Sequence, residues 1–237
     1  MSAVERRAAG DALARDVVAA FGAAAPTRGI TRIEADVSAG GLVFVLKRQP
    51  RALHRIHAVL DADRQSGLIV GREPAPWEYR FDPERLVADM RRLSRWPRPW
   101  PWSPEHAGAF AAAALWTYLL LPLCVSDPTL GRERLPDRRG LRRLRLTFPP
   151  HIATHSRVQV LHVDQLGMVR RHDYTAGIMG RWARPAHLIT DMATFDGVPV
   201  GTSRSVVPKV FGRPLPWPTL VHIDVHHLTV HGRGELD

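Results

Sequence analysis

A chain of 237 residues with 45% hydrophobic and 24% charged side chains has apolar surface enough for a sizeable core and does not read as disordered. One cysteine, Cys124, excludes an internal disulfide and a multi-cysteine metal site. The net charge of +10 comes mostly from arginine, in pairs such as Arg91-Arg92 and Arg142-Arg143. That balance would suit a nucleic acid or an anionic membrane surface, but no zinc-ligand set, helix-turn-helix pattern or ribonucleoprotein-type aromatic motif accompanies it. We therefore read it as a solvated surface and expect no nucleic-acid partner.

Val4, Ala8, Leu13, Val17, Val18 and Phe21 recur at helical spacing, which predicts an amphipathic helix over residues 3–23, stopped by Gly22 and Pro26. Glu5, Asp11 and Asp16 interrupt any apolar core a secretory signal would need, so a cytoplasmic location is expected. Residues 31–37, 42–47, 55–62 and 67–73 are short, β-branched or alternating, and read as an antiparallel meander. The segment 74–104 is rich in proline and tryptophan (Trp96, Trp100, Trp102), which predicts an irregular connection with a short helix over 83–94.

Residues 105–125 then include an uncharged run from Gly108 to Val125. Its length meets the lower limit for a membrane span. Its many alanines and Pro122 argue instead for a buried helix, with Ser103 as N-cap and Pro104 in the first turn, and against stable membrane insertion. Residues 143–230 are strand-like: "RRLRLTF" alternates faces, "SRVQVLHVDQLGMVRRHDY" turns at Asp164 to Gly167, "AHLITDMATFDGVPV" turns at Phe195-Asp196-Gly197, and "VHIDVHH" begins the last strand. The expected class is α+β, one domain over 1–237: a curved antiparallel sheet, a half-open β-barrel, closed by the central apolar helix and the N-terminal helix. Such a shape leaves room for a cavity between helix and sheet.

Thr154-His155-Ser156, Arg170 to Tyr174, Phe195-Asp196-Gly197-Val198, Arg204 and Ile223-Asp224 resemble the motifs of a widespread, mainly actinobacterial group of proteins with no assigned activity. The resemblance covers about the last hundred residues well and "WTYLLLP" moderately. It implies a layout like the half-barrel of bacterial lipoprotein carriers, a shape shared with a small cofactor-free enzyme of pigment biosynthesis. No export signal is expected in the chain, which would set it apart from the carriers, and it departs from the group in supplying a single arginine in "GTSRSV".

Several residues carry chemistry. His172 and Tyr174 share one face of a strand, and an imidazole with a phenol can exchange protons with one ligand. In an extended strand His222, Asp224 and His226 share the face opposite Val221, Ile223 and Val225. Alternate residues stand about 6.6 to 6.8 Å apart, so the three do not readily converge on one tetrahedral metal without help from a neighbouring strand. The face is then either the wet side of an edge strand or a cavity wall in which Asp224 orients a histidine. His155 is a further candidate base. Trp116 and Tyr118 on the buried helix, with His187, Asp191, Arg204 and His226, are candidate ligand contacts; His187 and Asp191 are expected on one strand face. No phosphate loop, dinucleotide fingerprint, nucleophile elbow or HExxH motif is present, so neither cofactor nor metal is expected. The sequence points first to cofactor-independent acid-base chemistry of the cyclase, isomerase or dehydratase kind on a hydrophobic or aromatic molecule. The alternative is a non-catalytic carrier of a lipid or hydrophobic ligand; a homodimer is left open.

Overall fold

The computed structural model describes residues 2–21, 29–95, 98–180 and 183–232. The expected helix stops Gly22 and Pro26, and Trp96 of the predicted connection, lie outside them.

Helix α1 spans Ala3–Ala20 and opens on a capping box in which Ser2 Oγ accepts from Glu5 N and Glu5 accepts from Ser2 N. Strand β1 (Ile30–Gly40) leads to β2 (Ile56–Asp61), β3 (Gly67–Gly71) and β4 (Trp77–Phe81). Residues 42–47, expected as a strand, instead form a short helix, α2 (Leu42–Leu46), with Lys47 as its C-cap. The β-branched run is overridden by its tertiary setting: after Gly41 at φ 122° the first turn donates Leu42 N and Val43 N to the carbonyls of Thr219 and Leu220. The Pro- and Trp-rich connection begins with β4, an element the prolines around it conceal. It continues with α3 (Pro83–Ser94), capped by Asp82.

Helix α4 (Pro104–Leu119) starts at Ser103, as its sequence indicates, and α5 (Leu121–Ser126) follows after a break at Leu120, with Pro122 in its first turn. α4 is buried from Ala107 onward except at Phe110, and six of its sixteen residues are alanine, small enough to let neighbouring elements approach closely. The close approach is visible at Gly108, where an added Cβ would stand 2.5 Å from Tyr79 Cβ. No helix among the described residues is long and apolar enough to cross a membrane.

The second half supplies β5 (Gly131–Arg138), β6 (Leu141–Thr147), β7 (Val158–Val163), β8 (Val169–Asp173), β9 (Ala186–Phe195), β10 (Val198–Val207), the two-residue pair β11 (Lys209–Val210) and β12 (Arg213–Pro214), and β13 (Val221–Gly232). β5, "GRERLPDR", went unpredicted because it has no apolar alternation. Eleven strands make one antiparallel, curved sheet in the order β4-β3-β2-β1-β13-β10-β9-β8-β7-β6-β5. Two meanders are therefore joined by the last strand, which pairs with β1 on one side and β10 on the other. The reading of "VHIDVHH" as an edge is corrected: β13 is central, since only there can it satisfy ladder bonds on both sides.

β4 and β5 stay unpaired with each other, so the sheet is not a closed barrel. α4 packs over β2, β3 and β4 with α3 beside it, and α1 rides on β5 and β6. Arg6–Glu133 at 2.9 Å and Arg142–Asp16 at 2.6 Å pin α1 there, and Gly10 lets it approach the β5 backbone.

Candidate functional site

Strand alternation and one pairing place the central group. In the β8–β9 ladder His172 stands opposite His187. Both side chains point to the helix-covered face, His172 1% and His187 0% exposed, with stacked rings 6.0 Å apart. Tyr118 projects from α4 onto this pair, 4.4 Å from the His187 ring and 5.9 Å from that of His172. Tyr174, just past β8, has its ring 5.6 Å from His172 and its hydroxyl 3.1 Å from that of Tyr118. His155, from the loop after β6, completes the group 5.7 Å from Tyr174 and 4.7 Å from Phe110 of α4.

Arg204 of β10 lies behind Tyr118. It is 4% exposed, its guanidinium carbon 5.5 Å from the ring centre. Its bonds run to two carbonyls, Gly201 at 3.0 Å and Tyr118 at 3.4 Å, and among the described residues no carboxylate forms an ion pair with it. A buried cation without a counter-ion is costly, and burial lowers its pKa to about 10.

The electrostatic result is uniform. Burial pushes the His155 imidazole down to about 4 and His172 to about 3, with Arg204 adding to the second. Burial, then Arg204, holds His187 well below the usual range. Burial raises Tyr174 to about 12 and Tyr118 well above the ordinary phenol. At neutral pH the three imidazoles are uncharged and both phenols are protonated. Both ring nitrogens of His155 and of His187, and Nε2 of His172, are buried without a hydrogen-bond partner. Unmet polar atoms at this density call for an explanation.

A cavity of about 540 Å³ abuts this cluster, bounded by α2, α4, the β8–β9 connection, the β10–β11 corner and the start of β13. Its walls are mainly apolar, from Val43, Phe110, Ile178, Met179, Val206 and Val221, with His155, Tyr174, Arg184 and Lys209 as the polar and charged side chains of its lining. A smaller void lies between Thr117, Tyr118, His155, Gln159 and Tyr174.

The structure thus gathers His155, His172, Tyr174, His187, Tyr118 and Arg204, and it places the other four candidates elsewhere. Asp224 and His226 lie on the face of β13 turned away from the core, where Val221, Ile223 and Val225 point inward. Asp224 accepts from Ser203 Oγ at 3.1 Å and His226 meets Ser38 Oγ at 2.8 Å. Asp224 therefore orients no histidine of the cavity. Asp191 is exposed: register shifts around Ser203 insert Thr190 as an extra residue between Ile189 and Asp191, so the strand alternation linking it to His187 is lost. Trp116 sits two residues before Tyr118, about 200° around a helix, and donates to the Asp61 and Arg64 carbonyls at the far end. Asp196, in the turn between β9 and β10, accepts from Val230 N at 2.9 Å and ties the hairpin to β13.

Some participants carry no sequence signal. Phe110 stands in an alanine run, and the cavity walls at 176–185 and 208–212 are irregular chain. A second polar group was legible only as a spacing: Arg171 and Asp173 share the opposite face of β8. Asp173 receives Arg171 at 2.6 and 2.7 Å and Lys209 at 2.8 Å, with His162 at 3.4 Å. These hydrogen bonds outweigh burial and hold its carboxyl well below the usual range.

No family model matches the chain, and no curated protein matches it. Among solved structures it is similar to a DUF1329 family protein from Desulfovibrio piger, at 14% identity and TM-score 0.47 over 95% of this chain and 93% of that one. It is also similar to a LolA superfamily protein from Nitrosomonas europaea, at 8% identity and TM-score 0.48 over 94% of this chain and 95% of the other.

Proposed function

We propose that the protein binds a hydrophobic small molecule bearing a hydrogen-bonding group, and holds or carries it without transforming it. The observation behind this reading is the apolar cavity of about 540 Å³ that ends on His155, a residue with two buried and unpartnered ring nitrogens. The volume falls within the roughly 300 to 1,000 Å³ of small-molecule sites. Apolar walls hold the body of the ligand; the polar end fixes its orientation. Neutral imidazoles beside an uncompensated Arg204 favour a neutral or anionic polar group over a cationic one.

Acid-base catalysis, the first expectation from the sequence, loses its footing on three counts. Asp224 is on the other side of the sheet. Imidazoles held at about 4 and about 3 are weak bases at neutral pH, and a phenol at about 12 is a weak acid. The carrier reading uses the same residues as positioning donors and acceptors and requires no proton transfer from them.

Mass spectrometry of the solvent extract of natively purified protein tests this. We expect an apolar molecule near one equivalent, much reduced in a Met179→Trp variant that fills the cavity. Protein that is empty, and that also fails to take up a fluorescent fatty acid, overturns the proposal. Conversion of the bound molecule over time would restore the catalytic reading.

A further inference from the structure

The mouth of the cavity is lined differently from the rest of the surface. Of the ten exposed large hydrophobic residues among the described ones, seven lie in 42–46, at 100 and in 210–217. Phe211 is 94% and Trp217 79% exposed. These segments adjoin one another: Leu42 N donates to the Thr219 carbonyl at 3.3 Å, Trp100 Nε1 donates to the Leu46 carbonyl at 2.7 Å, and Phe211 itself borders the cavity. Phe211 sits at φ 46°, a left-handed position that suits asparagine or glycine. A bulky ring is thus held outward where the turn itself has no use for it.

Charge completes the pattern. Residues 41–51, 98–103, 183–185 and 208–220 contain no aspartate or glutamate. They carry the exposed Arg48, Arg184 and Arg213, with the Arg48 guanidinium 4.8 Å from the centre of the Trp100 ring. We propose that this rim docks on an anionic lipid bilayer, seating Phe211, Trp217, Val45 and Leu46 among the acyl chains and the arginines at the headgroups. Apolar insertion joined to cationic contact is the pairing that makes peripheral attachment stable. A second copy of the chain is disfavoured because two rims whose own segments carry arginines and no acid repel. Single-stranded nucleic acid would use the aromatic rings but has no use for Val45, Leu46 and Val210. Docking in this orientation opens the cavity toward lipid, yet it does not depend on what the cavity holds.

The test is co-sedimentation of the full chain with phosphatidylcholine vesicles, with and without phosphatidylglycerol. Binding should require the anionic lipid and weaken as salt rises. A Phe211→Asn and Trp217→Ser double variant, both changes at exposed sites and the first suited to its backbone, should lower partitioning by about tenfold or more. Arg48→Glu with Arg213→Glu should lower it comparably while the unfolding temperature holds. Absence of binding to either vesicle overturns the proposal. So does unchanged binding in both double variants, displacement of vesicles by single-stranded RNA, or a dimer that buries the rim.

Discussion

The twelve histidines of this chain fall largely into two groups that differ in everything but residue type. The inner group, His155, His172 and His187, lies under α4 with unpartnered ring nitrogens and neutral rings. The outer group lies across β1, β2 and β13 among carboxylates: His57 meets Asp36 at 2.9 Å and Glu34 at 3.6 Å, and His231 meets Glu34 at 3.4 Å. The inner set buries ring nitrogens that no partner meets; the outer set stands beside carboxylates. The lesson is that in a sheet covered on one face, strand parity turns His172 and His187 toward the covered side and His226 away from it, while His155 reaches the group from a loop.

The largest effect should come from crossing that boundary on one strand. Ile223→Asp, on the inner face of β13, buries a carboxylate without a partner and should cost about 4 kcal/mol or more, whereas Asp224→Asn next to it should stay within about 0.5 kcal/mol. Urea unfolding of the two variants measures this; equal effects would mean that the faces are not distinct. The next is His155→Phe, which keeps an aromatic ring against Phe110 but removes two unmet nitrogens. Its stability should hold or rise by about 1 kcal/mol, while uptake of a fluorescent fatty acid should weaken about tenfold. A loss of stability with uptake intact would place the nitrogens outside the ligand site.

A smaller effect separates the groups by pH. Burial depresses the inner imidazoles below their ordinary value of 6.5, to about 4 and about 3 for His155 and His172. Between those limits the unfolded chain binds more protons, so stability rises with pH across the window and is lost as pH falls through it. The slope should be shallower in His155→Phe. Smallest of all, His226→Ala removes an exposed contact to Ser38 and should shift stability by no more than about 0.5 kcal/mol at neutral pH.

Much of the site was readable before the fold. "RRHDY" announces that His172 and Tyr174 share a face and that Asp173 does not, because alternation is a local property of extended backbone. Ser103 and Pro104 likewise mark where α4 begins, through capping chemistry written in adjacent residues. Where such rules failed, a long-range contact had intervened. The extra residue at Thr190 exposes Asp191, and the Thr219 and Leu220 carbonyls turn "LVFVL" into a helix.

The opposite faces of "VHIDVHH" follow from its sequence alone: Val221, Ile223 and Val225 on one, His222, Asp224 and His226 on the other. Tertiary structure decided which face meets the core and which strands flank it. The physical reason is that alternation has a period but no sign. The sign comes from the apolar α4, which covers one side of the curved sheet, and from β1 and β10, which take the last strand between them.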